Sequence, residues 1–392
     1  MGNSHVIFGI SGSIAAYKSL DIIRQLRALD INIRPVLSES GHKFIPKWTL
    51  EVLSEHALLN NDVCNGRITH LDIAKQAQLF IICPASANTI AKLAHGHASD
   101  TLSAAFLNYS GPKLLVPAMH TDMYQNPITQ KNMATLRDQG VMILPPDVGA
   151  LSSGDVGEGR LPDPTVVVQC IQSALQDPIN LTGKNIVVTC GGTSEAIDPV
   201  RTITNHATGL SGHALANMAA FYGAKVTLIR TTTHPTLQSI HCIQVSSAND
   251  MQQALADFYT NCDALIMNAA VSDFTVEKQA TKQTRGSHAT LQLTPTPDLL
   301  KTFNQHKAPH CISVGFCLSD ADNLADVARK KMIDKHCDIM VANDVTAIGT
   351  PLRSGYMLQG EDAVAFNALS LETLSHTILS RMVALELSTV SG

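Results

Sequence analysis

Two apolar strand patterns, His5–Ile10 and Asn185–Cys190, each run straight into a turn of very small residues, Ser11-Gly12-Ser13 and Gly191-Gly192-Thr193. Strands that alternate with helix patterns must bury both faces, which restricts such a chain to parallel sheets wrapped by helices. After the first turn come an amphipathic helix pattern at Ile14–Leu29 and a strand at Ile31–Leu37. Leu79–Cys83 and Lys113–Val116 are short apolar runs that read as buried strands. Asn126-Pro127 supplies an N-cap and a first-turn proline for a helix reaching about Gln139. Val141–Leu144 reads as a strand, and Asp163-Pro164 opens a helix ending near Gln176. The polar, turn-rich stretch from Asp177 to Gly183 marks a boundary. Beyond it the alternation restarts, with a helix at Leu210–Tyr222 and strands at Lys225–Arg230, Ala264–Asn268, Cys311–Gly315 and Asp338–Ala342. A last helix is expected over Leu371–Leu387. The expected fold class is α/β, with two doubly wound domains at 1–178 and 183–392 and no sequence repeat between them.

Composition narrows the partners. Only 16% of the 392 residues are charged, the net charge is −5, and no long basic run exists. Nucleic acid and anionic membrane are therefore not expected. The first residues lead straight into a strand pattern, without a basic segment and cleavable apolar stretch, and no apolar run approaches the roughly 20 residues a bilayer span needs. Nine cysteines without paired or C-x-x-C spacing suit reduced thiols, not a disulfide framework or zinc site. Together these features predict a cytoplasmic protein.

Small residues after a strand let backbone N–H groups at a helix N-terminus approach a phosphate. The turn Ser11-Gly12-Ser13 lacks the G-x-G-x-x-G pattern, so it reads either as a mononucleotide site or as a plain tight turn. A second such turn is Pro84-Ala85-Ser86-Ala87-Asn88-Thr89. Thr69-His70-Leu71-Asp72 has the form of a helix start, which would place His70 in a positive field that favours the neutral, basic imidazole. A solvent-facing first-turn histidine is the competing reading.

The segments Ser11-Gly12-Ser13-Ile14-Ala15-Ala16-Tyr17-Lys18, Pro84-Ala85-Ser86-Ala87-Asn88 and Pro117-Ala118-Met119-His120-x-x-Met123 are together similar to the flavin-dependent cysteine decarboxylases. The resemblance covers the first half of the chain. It implies a flavodoxin-like, FMN-binding domain that oxidises a substrate thiol to a thioaldehyde, loses carbon dioxide and then returns the electrons. It also implies His70 as the active-site histidine, flavin contacts at Ser11, Gly12, Ser13, Ser38, Ser86 and Asn88, and assembly as trimers. Two positions depart from the family pattern. His120 stands where the family has an asparagine that orients the substrate carboxylate, and Ser153 stands where its flap has a cysteine. A serine hydroxyl is far too weak an acid to replace a thiol as proton donor, whereas an imidazolium is not. His120 is thus expected either to bind the carboxylate and return the proton, or only to replace asparagine while water supplies it. The glycines of Leu151–Arg160 fit a lid over the site or an ordinary surface loop.

In the second half, the string from Gly191 to Arg201 and Thr204-Asn205-His206-Ala207-Thr208-Gly209 together offer glycine-lined donors, hydroxyls, a guanidinium and a carboxamide. The extended string resembles the phosphopantothenate–cysteine ligase signature, as does Asn268-Ala269-Ala270-Val271-Ser272-Asp273-Phe274. The resemblance implies a Rossmann-like ligase domain that works as a dimer. It assigns substrate or nucleotide contacts to Gly192, Thr193, Asp273, Phe316, Lys331 and Lys335, and catalysis to Asn205 and Lys282, with Lys278 as runner-up for the catalytic lysine. By spacing alone, Lys331 and Lys335 make one helix face, solvated or anion-binding. The implied chemistry activates the carboxylate of 4′-phosphopantothenate as an acyl-cytidylate with CTP and Mg²⁺, and L-cysteine then displaces CMP. The whole chain is thus expected to make 4′-phosphopantothenoylcysteine and decarboxylate it to 4′-phosphopantetheine. The alternatives are an active ligase with an impaired or differently specific decarboxylase half, and a non-enzymatic regulatory flavoprotein.

Overall fold

The structure is a computed structural model and describes residues 5–59, 63–64, 67–68, 76–176, 179–282, 290–319, 323–344 and 352–390. Contacts divide the chain into two compact units, Met1–Pro178 and Ile179–Gly392.

The first unit is built on five parallel strands: β1 (His5–Ile10), β2 (Asn32–Leu37), β3 (Leu79–Ala85), β4 (Lys113–Pro117) and β5 (Met142–Ile143). Their spatial order is β2-β1-β3-β4-β5, the flavodoxin-like doubly wound arrangement. The order reverses between β1 and β3, where Val6 pairs with Leu79 and Gly9 with Ile82. Every residue of β3 is buried, as an unbroken apolar run demands of a central strand. Helices α1 (Tyr17–Ala28), α2 (Ala87–Ala94), α3 (Pro127–Asp138) and α4 (Pro164–Ala174) flank the sheet. The two proline-led helices start as expected: Asn126 Oδ1 accepts the Ile128 N–H at 2.9 Å, and Asp163 Oδ1 accepts that of Thr165 at 2.9 Å. The segment after β5, read from sequence as a loop, is a hairpin of β6 (Asp147–Ala150) and β7 (Val156–Arg160). The core packs around Phe80, whose ring meets Phe106 edge-on at 5.4 Å and Tyr109 at 5.8 Å.

The main sheet of the second unit has eight strands: β8 (Asn185–Cys190), β9 (Lys225–Arg230), β10 (His241–Gln244), β11 (Ala264–Met267), β12 (Ile312–Ser319), β13 (Ile339–Asp344), β14 (Leu352–Gln359) and β15 (Asp362–Ser370). The order β10-β9-β8-β11-β12-β13 is parallel and doubly wound, with its switch point between β8 and β11. The sheet is not purely parallel, however. β14 and β15 continue it as antiparallel strands, in a segment whose periodicity gave no strand assignment. Helix α5 (Leu210–Phe221) has eight consecutive buried residues, Gly212 to Ala219, and packs against α7 (Leu371–Val390). Helix α6 (Leu324–Asp334) connects β12 to β13.

Eight cysteines, Cys83 and the seven that follow it in the chain, are free thiols, and the Cys262 and Cys311 sulfurs share a hydrogen bond at 3.6 Å and no disulfide. Among the described residues no helix is long and apolar enough to cross a membrane.

Replacing Phe80 by alanine removes a fully buried ring from the first unit's core. Such a truncation costs about 3–5 kcal/mol. A lower urea midpoint for the first unit's transition is expected, with the second unit's transition in place; an unshifted first transition would contradict this account of the core.

Candidate active sites

Three turns meet at the carboxyl edge of the first sheet. The buried Ser11 hydroxyl donates to Pro84 O at 2.8 Å and accepts the Ser86 N–H at 2.8 Å, tying the turn after β1 to the turn after β3. Ser13 Oγ donates to Ala118 O at 3.1 Å, bringing in the end of β4. Ser86 caps α2 by accepting the Thr89 N–H at 3.3 Å. Gly12 sits so close to the turn after β2 that an added Cβ would come within 2.5 Å of Ser40 Oγ.

These turns enclose a cavity of about 870 Å³ at the β1/β3 switch point. Of the residues expected from sequence, Gly12, Ser13, Ser86, Asn88, His120 and Ser153 line it. Ser11 and Ser38 do not; both are buried beneath the turns, and Ser38 Oγ accepts the Gly41 N–H at 3.0 Å. The lining hydroxyl of that third turn is Ser40, two residues on. His70 lies outside the described residues.

His120 caps the short helix Thr121–Gln125, its Nδ1 accepting the Asp122 N–H at 3.3 Å. Nε2 therefore carries the hydrogen and donates it to Asp155 Oδ2 at 3.0 Å. This bond to the Asp155 carboxylate raises the imidazole pKa above its ordinary value. Reciprocally, His120 and then Ser153 hold the Asp155 pKa down by side-chain hydrogen bonds. The flap is strapped over the cavity, since Met119 N–H donates to Gly159 O at 3.0 Å. Gly159, at φ 138°, and Gly157 lie so close to Met119 O and Thr121 Oγ1 that no side chain fits. Two glycines read as the mark of a lid thus serve close approach.

In the second unit a cavity of about 560 Å³ opens at the β8/β11 switch point, lined by Gly192 and Asn205 among others. Asn205 Nδ2 donates to Ala270 O at 3.3 Å and Val271 O at 3.1 Å, joining its loop to the segment after β11. Thr193 is fully buried and does not line the cavity; its Oγ1 accepts the Ser272 N–H at 2.8 Å. Asp273, Lys278, Lys282 and Lys331 are exposed and Phe316 is half-buried, all outside this lining. Lys335, also outside it, pairs with Asp298 at 2.9 Å. The loop strings thus converge, and the lysine pair lies on α6 and its C-cap, outside this lining. Sequence reasoning assigned no role to Thr231, Asn268, Asn343 and Arg353, which do line the cavity. The first three carry a usable signal, since each stands at the carboxyl end of a parallel strand. Arg353 is on β14, which had no strand signal. Thr231 Oγ1 and Asn343 Oδ1 are buried without a hydrogen-bond partner, as expected where a polar ligand completes the site.

Comparison with known proteins agrees with this layout. The flavoprotein family profile matches residues 1–176, and that of the DNA/pantothenate metabolism flavoprotein C-terminal domain matches 181–385. The chain is therefore a flavoprotein unit fused to a pantothenate-metabolism unit. It is 35% identical over 352 residues to the coenzyme A biosynthesis bifunctional protein CoaBC of Haemophilus influenzae, covering 88% of each chain. To the Bacillus subtilis protein of the same name it is 36% identical over 360 residues, covering 89% of this chain and 88% of that one. A crystal structure of the C-terminal domain of a protein so named matches 54% of this chain and 98% of its own at 30% identity, with a TM-score of 0.46. The chain belongs to the family of bifunctional coenzyme A biosynthesis proteins.

The raised His120 pKa is expected to depend on Asp155. NMR titration should place the imidazole above the ordinary value of about 6.5, and Asp155→Asn should bring it down. The pair's contribution to stability is present below that ordinary pKa and is lost as pH rises through the raised one. A titration unaffected by Asp155→Asn would contradict the hydrogen-bond assignment.

Proposed function

We propose that the chain catalyses two successive steps of coenzyme A biosynthesis in the cytoplasm. The C-terminal unit, residues 183–392, joins 4′-phosphopantothenate to L-cysteine using CTP and Mg²⁺. The N-terminal unit, residues 1–178, decarboxylates the resulting 4′-phosphopantothenoylcysteine to 4′-phosphopantetheine with FMN. One observation carries the reading: a flavoprotein unit and a pantothenate-metabolism unit share one chain, and each has a cavity at the switch point of its own sheet.

The first cavity fits a flavin mononucleotide in chemistry. Its small-residue turns present backbone N–H groups and hydroxyls at helix starts, and Gly12, Ser13, Ser86 and Asn88 are the residues that would hold the cofactor. FMN, when bound, supplies the two-electron acceptor and donor that the reaction needs. Ser11 and Ser38 set the turns from beneath, and His70 is assigned the substrate chemistry. His120 faces the same cavity with a hydrogen on Nε2, held by Asp155. It binds the substrate carboxylate and later returns a proton, a task for which Ser153 is too weak an acid.

In the second unit Asn205 holds the activated carbonyl while the cysteine amine attacks. Gly192 and the loop fixed by Thr193 shape that pocket. Lys282, Lys331 and Lys335, together with Mg²⁺, offset charge on the nucleotide phosphates, and Asp273 and Phe316 contact the nucleotide. The family pattern supports an oligomer built from decarboxylase trimers and ligase dimers.

The deciding experiment supplies 4′-phosphopantothenate, cysteine, CTP and Mg²⁺ and identifies every product by mass. Formation of CMP, pyrophosphate and 4′-phosphopantetheine is expected. Accumulation of 4′-phosphopantothenoylcysteine would favour an impaired decarboxylase, and absence of both products would overturn the reading. Asn205→Asp should still release pyrophosphate yet slow amide formation, because the new charge repels the carbonyl region; unchanged amide formation contradicts that role. His120→Asn should leave carbon dioxide release partly intact while the enethiol accumulates. Parental rates of 4′-phosphopantetheine formation would remove His120 as the donor.

A further inference from the structure

The first cavity has a cationic wall that none of the roles above uses. Lys18 lies in the first turn of α1, and Arg160 ends β7 of the flap hairpin; both side chains line the cavity. Burial, and then the charge of Arg160, push the Lys18 ammonium below the ordinary lysine range. The carboxylates of Asp163 and Asp147 act on it more weakly in the opposite direction. Among the described residues neither Lys18 nor Arg160 is joined to a carboxylate in an ion pair. Two like charges share the wall of one cavity, one of them partly withdrawn from water, and an anion seated there would offset their repulsion beyond what Asp147 and Asp163 supply.

Its chemistry follows from the donors. A guanidinium offers a planar fork and an ammonium a point charge, a combination suited to a phosphate monoester. Two such groups belong to the proposed decarboxylation, one on FMN and one on the substrate. The cofactor's phosphate already has donors in the serine turns of the sheet edge, which β1, β3 and α2 hold in place. Arg160 comes instead from the hairpin that covers the cavity, where an entering substrate meets the protein. We propose that Lys18 and Arg160 form the subsite for the 4′-phosphate of the decarboxylation substrate, and so select 4′-phosphopantothenoylcysteine over its dephosphorylated counterpart. The inference rests on the decarboxylase reading of the N-terminal unit.

The test uses the full-length protein and its Lys18→Met and Arg160→Met variants. Steady-state carbon dioxide release is measured with 4′-phosphopantothenoylcysteine and with pantothenoylcysteine, and binding of FMN and riboflavin is measured by fluorescence. The parent should prefer the phosphorylated substrate. Each variant should raise KM for it by about tenfold or more, the loss expected for a charged hydrogen-bonding partner. Turnover of pantothenoylcysteine and the FMN-to-riboflavin affinity ratio should stay as they are. If FMN binding weakens and riboflavin binding does not, the cations serve the cofactor and the inference falls. It falls equally if both substrates lose the same factor. Arg160 is exposed, so Arg160→Gln carries the same test should the Lys18 variant not fold. A parent that decarboxylates neither substrate refutes the decarboxylase reading itself; one that decarboxylates both without preference refutes only the subsite.

Discussion

One buried hydroxyl organises the N-terminal site. Ser11 Oγ, fully buried, gives its hydrogen to Pro84 O and receives one from Ser86 N–H. A buried hydroxyl without partners is costly, so this bond pair is strongly specified. It fixes the exits of β1 and β3 relative to each other at the place where the strand order reverses. The remaining turns are hung from that join. Ser13 reaches Ala118, Gly12 leaves room for Ser40, and the end of β4 presents His120. Ser11 therefore shapes the cavity without facing it.

The second unit solves the same problem with different groups. Thr193 Oγ1 takes the Ser272 N–H, and the buried Glu195 accepts from Ala248 N–H at 2.8 Å and Thr275 Oγ1 at 3.1 Å. These anchors pull the loop after β8 onto the segment after β11, and Asn205 adds two more bonds across the same gap. Both of these bonds are donated by the Asn205 carboxamide to backbone carbonyls. The two halves show no sequence repeat, yet each binds its loops across a switch point.

Strand existence was legible wherever burial on both faces produced an unbroken apolar run. Leu79–Ala85 and Ile339–Asp344 are such runs, and the sequence boundaries fall within two residues of theirs. Proline after a capping residue placed the starts of α3 and α4 for a local reason that no tertiary contact had to supply. β14 and β15 escaped notice because an edge pair is only half covered: β15 has six exposed positions along its length, and its run Ala363-Val364-Ala365-Phe366 does not alternate apolar with polar. Arg353, carried on β14, was hidden with it. The difference between Ser38 and Ser40 had no local signal either, because which of two nearby hydroxyls faces a cavity depends on how the turn packs under Ile10. The lysines of α6 were readable as a face, but not as residues outside the lining of the loop cavity.

The all-parallel geometry of the first sheet also sorts its connections into two classes. The exits of β1, β2, β3 and β4 line the cavity, whereas the turns entering β2, β4 and β5, at Leu29-Asp30-Ile31, Ser110-Gly111-Pro112 and Gln139-Gly140-Val141, lie at the opposite edge. Fluorophores, affinity handles or inserted peptides placed at Asp30 or Gly140 would sit a strand's length from the cavity. That edge is the natural grip for immobilising or labelling the protein, because nothing attached there stands in the path of a ligand.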